Sequence, residues 1–340
     1  MKVGVMTGGG DCPGLNAAIR AVVRKGLKDY GMEFVGIKDG WKGLLEADAE
    51  PLTRDRLSGI LVRGGTILGS TPFSAFKGDV EIGKLAEGYR RLRLDALIII
   101  GGDETLGAAA RLHEMGLNII GIPKTIDNDL LGTDTTIGFS TALTVAVEAI
   151  DRLHTTAESH HRVMIVEVMG RHAGWIAVEA GIAGGADLIL IPERPFDIEE
   201  VCKIIRERHE TRNFSIIVVA EGAYQRGGKE TVNDDEKDAF GYATIGGVAN
   251  WLKKEIRARL GFDTRATVLG HVQRGGTPTP EDRILATRFG VHAIELVAED
   301  KFGLMVALKG DKIVSIPLKD AIKDRVVDDE WYSIAKTFFD

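Results

Sequence analysis

Six short runs of the chain are almost wholly apolar and rich in β-branched residues: 3–6, 96–100, 119–122, 163–168, 188–191 and 216–220. Runs this short, with no alternating polar face, fit strands covered on both sides, as in a parallel sheet. Stretches of helical period separate them. In 15–28, Ile19, Val22, Val23 and Leu27 form one apolar stripe while Arg20, Arg24 and Lys28 face away, the pattern of a helix lying on a core. Residues 141–153 put Leu143, Val147, Ile150 and Leu153 on one face, which predicts a long helix crossing into a second α/β unit. At 279–282, Thr-Pro-Glu-Asp offers an N-cap, a proline at the first helical position and early acids. A further helix is expected near 246–259, and the polar, glycine-containing stretch 222–246 before it reads as a loop or insertion. Strand, glycine turn and helix in alternation point to an open α/β sheet, with ligands at the carboxyl ends of its strands. MTGGGD, IIGGDET, GIPKTIDND, EVMGR and AEGAY fall at those ends.

The 340 residues suffice for about two domains, and no low-complexity segment, heptad pattern or tandem repeat is visible. Hydrophobic residues at 44% and charged residues at 27% exclude disorder and fibre. A net charge of −7 argues against a general grip on nucleic acid or an anionic membrane, and four scattered tryptophans give no stacking platform for bases. Cys12 and Cys202 are the only cysteines, which suits free thiols in a reducing compartment. The first apolar run ends after six residues in glycines, unlike a signal segment, so a cytoplasmic protein without membrane contact is expected. The 42 glycines cluster at the ends of the apolar runs, where they commonly let backbone approach a ligand.

Gly8-Gly9-Gly10-Asp11 follows the first strand and precedes the first helix. Its N–H groups can hold phosphate, or it can be a tight βα turn; it is neither G-x-G-x-x-G nor a P-loop. After the most hydrophobic strand come Gly101-Gly102-Asp103-Glu104-Thr105, with a helix expected from Thr105. Its acids can support magnesium through oxygen ligands or simply cap that helix. Residues 123–129, Pro-Lys-Thr-Ile-Asp-Asn-Asp, join a cation, a hydroxyl and two carboxylates. There Asp127 can take a proton from an alcohol, Asp129 can orient it or support metal, and Lys124 can neutralise a transferring phosphoryl group. A solvated Asp-Asn-Asp turn is the alternative. Arg162, Arg171, Arg265, His271 and Arg274 stand where other strands or loops end; each can be a surface charge, and together they suit a phosphate.

These motifs, with GGGDCPGLNAAIR at 8–20, GGTILGS at 64–70, SHHR at 159–162, VMGRHAGW at 168–175 and LGHVQRGGTPTPEDR at 269–283, resemble the phosphofructokinase family over essentially the whole chain. The resemblance implies an α/β protein of two similar three-layer αβα domains, mostly parallel in sheet, around a cleft. Residues 1–140 with about 275–325 would bind the phosphoryl donor, and about 141–274 with 326–340 would bind fructose 6-phosphate. The implied reaction is a reversible glycolytic one, phosphorylation of the C1 hydroxyl of fructose 6-phosphate. By the same resemblance Asp127 is the base, Thr125 and Asp129 flank it, and Asp103 belongs to a Mg2+ site. Gly9 and Gly10 match the donor loop, with Gly102, Glu104 and Thr105 beside it. Met169, Gly170, Arg171 and Glu221 match sugar contacts, His271 and Arg274 match a 6-phosphate grip, and Arg162 and Arg265 resemble arginines lent across a subunit boundary of a homodimer or homotetramer.

Familiar bacterial ATP enzymes of the family have glycine at the positions of Glu104 and Lys124. An acid at the first implies a block to the nucleotide α-phosphate and lysine at the second suits pyrophosphate, although the usual pyrophosphate pattern has aspartate at the first. Pyrophosphate is therefore the expected donor and ATP the alternative; a non-enzymatic phosphosugar-binding protein is a third reading. Thr71-Pro72 replaces an arginine of the family pattern, for which Lys77 could compensate. Arg20, Arg24 and Asp187 resemble effector-site residues, with His154 in place of an arginine.

Overall fold

The computed structural model describes residues 1–71, 79–229, 232–237 and 243–339. In chain order the elements are β1 (Lys2–Thr7), α1 (Leu15–Asp29), β2 (Glu33–Ile37), α2 (Trp41–Glu46), β3 (Ala49–Pro51), α3 (Asp79–Arg91), β4 (Ala96–Gly101), α4 (Asp103–Glu114) and β5 (Ile119–Pro123). Then come α5 (Phe139–His160), β6 (Val163–Val168), α6 (Trp175–Ala183), β7 (Leu188–Leu190), α7 (Ile198–Thr211), β8 (Ser215–Ala220), β9 (Val232–Lys237), β10 (Ala243–Ile245), α8 (Val248–Leu260) and β11 (Thr264–Val268). The chain closes with α9 (Pro280–Ala298), β12 (Leu304–Lys309), β13 (Lys312–Pro317) and α10 (Asp329–Lys336). It divides into a first unit of 1–126, 130–141 and 274–324, and a second of 127–129, 142–273 and 325–340.

The first unit has a seven-stranded sheet in the order β13-β12-β5-β4-β1-β2-β3. Its inner pairs are parallel, and the edge pairs β2-β3 and β12-β13 are antiparallel. The β4 run is buried at every residue, which is why it reads as continuous apolar sequence. Helix α9 packs on α1: a Cβ at Gly290 would come within 2.8 Å of the Ala18 carbonyl oxygen, so glycine there permits close approach of the two backbones. From β1 the chain crosses to β2 on one side, and from β4 to β5 on the other. The strand order thus reverses between β1 and β4, and their carboxyl ends form the crevice expected to bind a ligand. Gly8 N–H donates to the Ile100 carbonyl at 2.9 Å and Lys124 N–H to the Gly101 carbonyl at 2.9 Å, so three motif turns leave adjoining strands there.

The second unit has a wholly parallel four-stranded sheet, β11-β6-β8-β7. One face of it is covered by α7 and α8 through Ile198, Val201, Ile205, Leu252 and Ile256, all buried. All six apolar runs are strands, and α1, α8 and α9 lie where their patterns put them. Three expectations change. The helix after the GGDET strand opens at Asp103, not Thr105, because Gly102 takes the extended N-cap conformation. The long helix starts at Phe139 and runs to His160, beyond both ends of the expected span. The stretch 222–246, expected as a loop or insertion, is not wholly loop and contains the antiparallel pair β9-β10. Pro72 and Lys77 lie outside the described residues. Among the described residues no helix is long and apolar enough to cross a membrane.

Candidate active site

In the first unit one threonine explains two of the glycine turns. Thr105, in the first turn of α4, is buried. A Cβ at Gly8 would lie 2.6 Å from its Cγ2, and one at Gly101 would also collide with it. These glycines therefore let α4 seat against both turns, and only Gly9, at φ 75°, needs glycine for its own backbone. The GGTILGS segment closes over the same turn. Thr7 Oγ1 donates to the Gly69 carbonyl at 3.0 Å, Ser70 Oγ donates to the Gly9 carbonyl, and buried Asn16 accepts from Ile67 N–H at 2.8 Å.

Two cations reach this turn. Lys124 is 3% exposed and its Nζ donates to the Gly10 carbonyl at 2.6 Å. The Arg274 guanidinium lies over Gly10, its Cζ 3.0 Å from where a Cβ would stand. Cys12, two residues on, is no nucleophile: burial pushes its thiol up to about 12, against the opposing pull of Lys124 and Arg274. Asp103 and Glu104 are half-buried in the first turn of α4, where the helix dipole favours negative charge. Asp103 offers one carboxylate, an oxygen donor of the kind that fits a hard divalent cation. Among the described residues no three His, Cys, Asp or Glu side chains gather into a cage.

The loop carrying Lys124 and Thr125 is held by Asp282, which the sequence marks only as an early acid of its own helix. Asp282, 1% exposed on α9, accepts from Gly138 N–H at 2.8 Å, Thr141 N–H at 2.8 Å and Thr141 Oγ1 at 2.5 Å. Those groups begin α5, so Asp282 caps a helix other than its own. Thr279 in turn caps α9 and donates its N–H to Thr141 Oγ1 at 3.1 Å. Just before this double cap, Thr136 Oγ1 donates to the Thr125 carbonyl at 2.7 Å and Ile137 pairs with Lys124.

In the second unit Asp127 is 6% exposed and Asn128, at φ 54°, is 2% exposed. Arg325 holds this turn: its N–H donates to the Asp129 carbonyl at 2.7 Å and its Nη1 to the Asn128 carbonyl at 3.3 Å. The Arg325 guanidinium stacks 3.9 Å above the Trp175 ring, whose Nε1 donates to the Arg325 carbonyl at 3.0 Å. At the carboxyl ends of β6 and β8, Glu221 N–H donates to the Val168 carbonyl at 2.8 Å and Glu221 Oε1 accepts from Arg171 N–H at 3.0 Å. Gly170 and Arg171 both have positive φ, 144° and 49°. Met169 N–H donates to Gln273 Oε1 at 2.9 Å, and Gln273 is fully buried. His271 is exposed in the short helical turn Gly270–Arg274.

Arg162 and Arg265 are not with these groups in one chain. Both bind Asp263, Arg162 through Nε at 2.8 Å, and Arg257 joins them at 3.3 Å. That cluster is at the amino ends of β6 and β11, whereas Met169 and His271 follow their carboxyl ends, roughly 20 Å away along the strands.

Burial pushes the Glu221 carboxyl up to about 7; the Arg171 N–H opposes this and the Asp127 and Glu167 carboxylates add to it. The ordinary value is 4.5. From there to about 7 the folded chain binds a proton that the unfolded chain has lost, so this group's contribution to stability falls as pH rises through that window. The ionised form costs about 3 kcal/mol more in the folded protein. Glu221→Gln keeps the shape and cannot ionise. Its melting temperature relative to the parent is expected to rise by several degrees between about pH 5 and about pH 8.5, and a flat difference in thermal scans would reject the buried-carboxyl account.

The model of the family described as phosphofructokinase matches residues 2–297. The chain is 55% identical over 340 residues to a pyrophosphate–fructose 6-phosphate 1-phosphotransferase of Amycolatopsis methanolica, with all of both chains covered. It is 51% identical to an ATP-dependent 6-phosphofructokinase 3 of Streptomyces coelicolor, with 99% of each covered. Among solved structures, that of Pichia pastoris phosphofructokinase in the T-state matches 99% of this chain with a TM-score of 0.82 and 33% identity. This chain spans 36% of that longer one.

Proposed function

The chain belongs to the phosphofructokinase family, and from that premise we propose that it transfers a phosphoryl group from pyrophosphate to the C1 hydroxyl of fructose 6-phosphate. The observation that carries the donor assignment is Lys124, a buried cation fixed on the Gly10 carbonyl inside the glycine turn. A compact ammonium there offsets charge on a transferring phosphoryl group and needs no adenine pocket. The similarity to the Amycolatopsis enzyme supports the same reading.

In this mechanism Met169, Gly170, Arg171, Glu221, His271 and Arg274 bind the sugar phosphate, and the turns at Gly9, Gly10 and Gly102 with Thr105 receive the donor. Asp127 takes the proton of the 1-hydroxyl as its oxygen bonds to the donor's phosphorus. The bridging phosphorus–oxygen bond breaks and inorganic phosphate leaves, giving fructose 1,6-bisphosphate. Asp129 and Thr125 orient the reacting groups, and Lys124 stabilises charge on the phosphoryl oxygens. A divalent ion, taken as magnesium, would be held by Asp103 and would screen the donor's charge. We place the enzyme in the cytoplasm as a homodimer or homotetramer, in which Arg162 and Arg265 serve a neighbour's sugar phosphate.

The Streptomyces relative favours a second reading, ATP as donor. Turnover of fructose 6-phosphate with pyrophosphate and with ATP at matched magnesium separates the two, with light scattering of the same sample for subunit number. Pyrophosphate is expected to give the larger kcat/KM in both directions. Activity with ATP alone would overturn the donor assignment, and a fully active monomer would overturn the shared arginines.

A further inference from the structure

The turn that carries Asp127 is held in a backbone conformation that most residues avoid. Asn128, 2% exposed, has a φ of 54°, in the left-handed region where a Cβ is crowded, though less severely for Asn than for most. Strain of this kind persists only where surrounding structure fixes the backbone. Arg325 does so here: its N–H donates to the Asp129 carbonyl at 2.7 Å and its Nη1 to the Asn128 carbonyl at 3.3 Å, two successive peptide groups directly after Asp127. Arg325 is itself anchored. Its guanidinium stacks 3.9 Å over the Trp175 ring, and Trp175 Nε1 donates to its carbonyl at 3.0 Å. Glu193 Oε1 accepts from Val327 N–H and from Gly174 N–H, both at 2.9 Å. That carboxylate joins the returning chain end to the N-cap of α6, whose first residue is Trp175.

Resting on the proposed function, we infer that Arg325 is a positioning residue for phosphoryl transfer: acting through the peptide groups of Asn128 and Asp129, it aims the Asp127 carboxylate at the sugar hydroxyl. A general base works only within hydrogen-bond reach of the proton it takes, and a misplacement of about 1 Å costs about 10²-fold in rate. Of the PKTIDND stretch only 127–129 belong to the second unit, so within that unit the turn has no helix or strand of its own to stiffen it. Its backbone is held instead by a residue almost two hundred positions away. A guanidinium suits the task, since its flat face lies on an indole ring while its N–H groups donate in the plane. The chain end thus completes the catalytic turn from behind, and the Trp175 and Glu193 contacts exist to keep that end in register.

The test is Arg325→Met in the full-length enzyme, alone and combined with Asp127→Asn. Methionine keeps the backbone N–H and much of the packing on Trp175, and loses the charge and the bond to the Asn128 carbonyl. With pyrophosphate as donor, kcat is expected to fall about tenfold while the KM of each substrate stays within about twofold. Arg325→Lys keeps a charge and a donor, and is expected to bring kcat back to within about threefold of the parent. In the Asp127→Asn background there is no base left to aim, so Arg325→Met is expected to lower kcat by less than about twofold more. Arg194→Met, which removes the ion pair to Asp329 in the same chain end, controls for general loosening and is expected to keep the parent kcat. If Arg325→Met does not fold, the lysine variant gives the same comparison, its smaller loss vanishing in the Asp127→Asn background. An equal loss in both backgrounds, a change confined to KM, or the same loss in Arg194→Met would overturn the inference. Parent-like turnover in Asp127→Asn alone would overturn the reading of Asp127 as base, and this inference with it. Activity with ATP and not pyrophosphate would overturn only the donor assignment, and the same comparison is then read with ATP.

Discussion

Replacing Asp127 by Asn is expected to cut kcat by about 10²-fold or more while fructose 6-phosphate still binds with nearly the parent affinity. The substitution keeps the shape of a side chain that is 6% exposed and removes only its basicity. Proton removal from the 1-hydroxyl is needed in the transition state and not in the ground state, so the loss should fall on kcat and leave binding alone. The surrounding turn should survive, because Arg325 holds it through the backbone carbonyls of Asn128 and Asp129. A second change accompanies the first. The Asp127 carboxylate is one of the charges holding Glu221 protonated, so in Asp127→Asn the Glu221 titration should move down from about 7. Steady-state kinetics, sugar-phosphate calorimetry and the pH dependence of stability read the three effects. A loss of kcat under tenfold, with chemistry shown to limit the parent, would remove Asp127 from the role of base.

Lys124→Met is the next largest. It is expected to lower kcat/KM for pyrophosphate by about 10²-fold with the fructose 6-phosphate KM little changed. Methionine fills similar space, so the core around a 3% exposed side chain stays packed. What is lost is the charge beside the donor and the hydrogen bond to the Gly10 carbonyl. Leaving that acceptor without a donor costs about 1–3 kcal/mol of stability. Donor kcat/KM within threefold of the parent, in a variant with normal secondary structure, would refute the part given to Lys124 in phosphoryl transfer.

The strands and the site were not equally legible in the sequence. Buried parallel strands have no polar face, so β1, β4, β5, β6 and β8 stand out as apolar runs, and the glycines and charges that follow them mark the ligand-bearing ends. The edge strand β7 is buried and stands out in the same way, whereas two other edge strands carry no such mark. β13 is half-exposed over most of its length and β11 over its three middle residues, so their composition resembles that of loops. The double cap escaped for another reason: Thr279 was readable as a cap because it precedes its own helix, whereas Asp282 caps the start of α5, 141 residues away along the chain. Arg325 and Trp175, stacked at 3.9 Å, are separated just as widely and belong to no recognisable spacing. Thr105 was read as the start of a helix, and only its burial against Gly8 and Gly101 explains why two turns need glycine.

The double cap bears on the order in which the protein can be made. β5 belongs to the first unit, yet its neighbour β12 and the helix bearing Asp282 are translated only after residues 142–273, nearly the whole second unit. On the ribosome the nascent first sheet therefore waits with one edge unpaired and the start of α5 uncapped while another sheet emerges. Closing so long a loop is entropically costly, and an open strand edge is a template for wrong pairing. The early 126-residue stretch of the first unit is a provisional structure until α9 arrives. The Arg274 guanidinium over Gly10 comes from the beginning of that late segment, so the sheet and the surroundings of the glycine turn are completed together: the strands and Lys124 first, the late arginine and the α5 cap last.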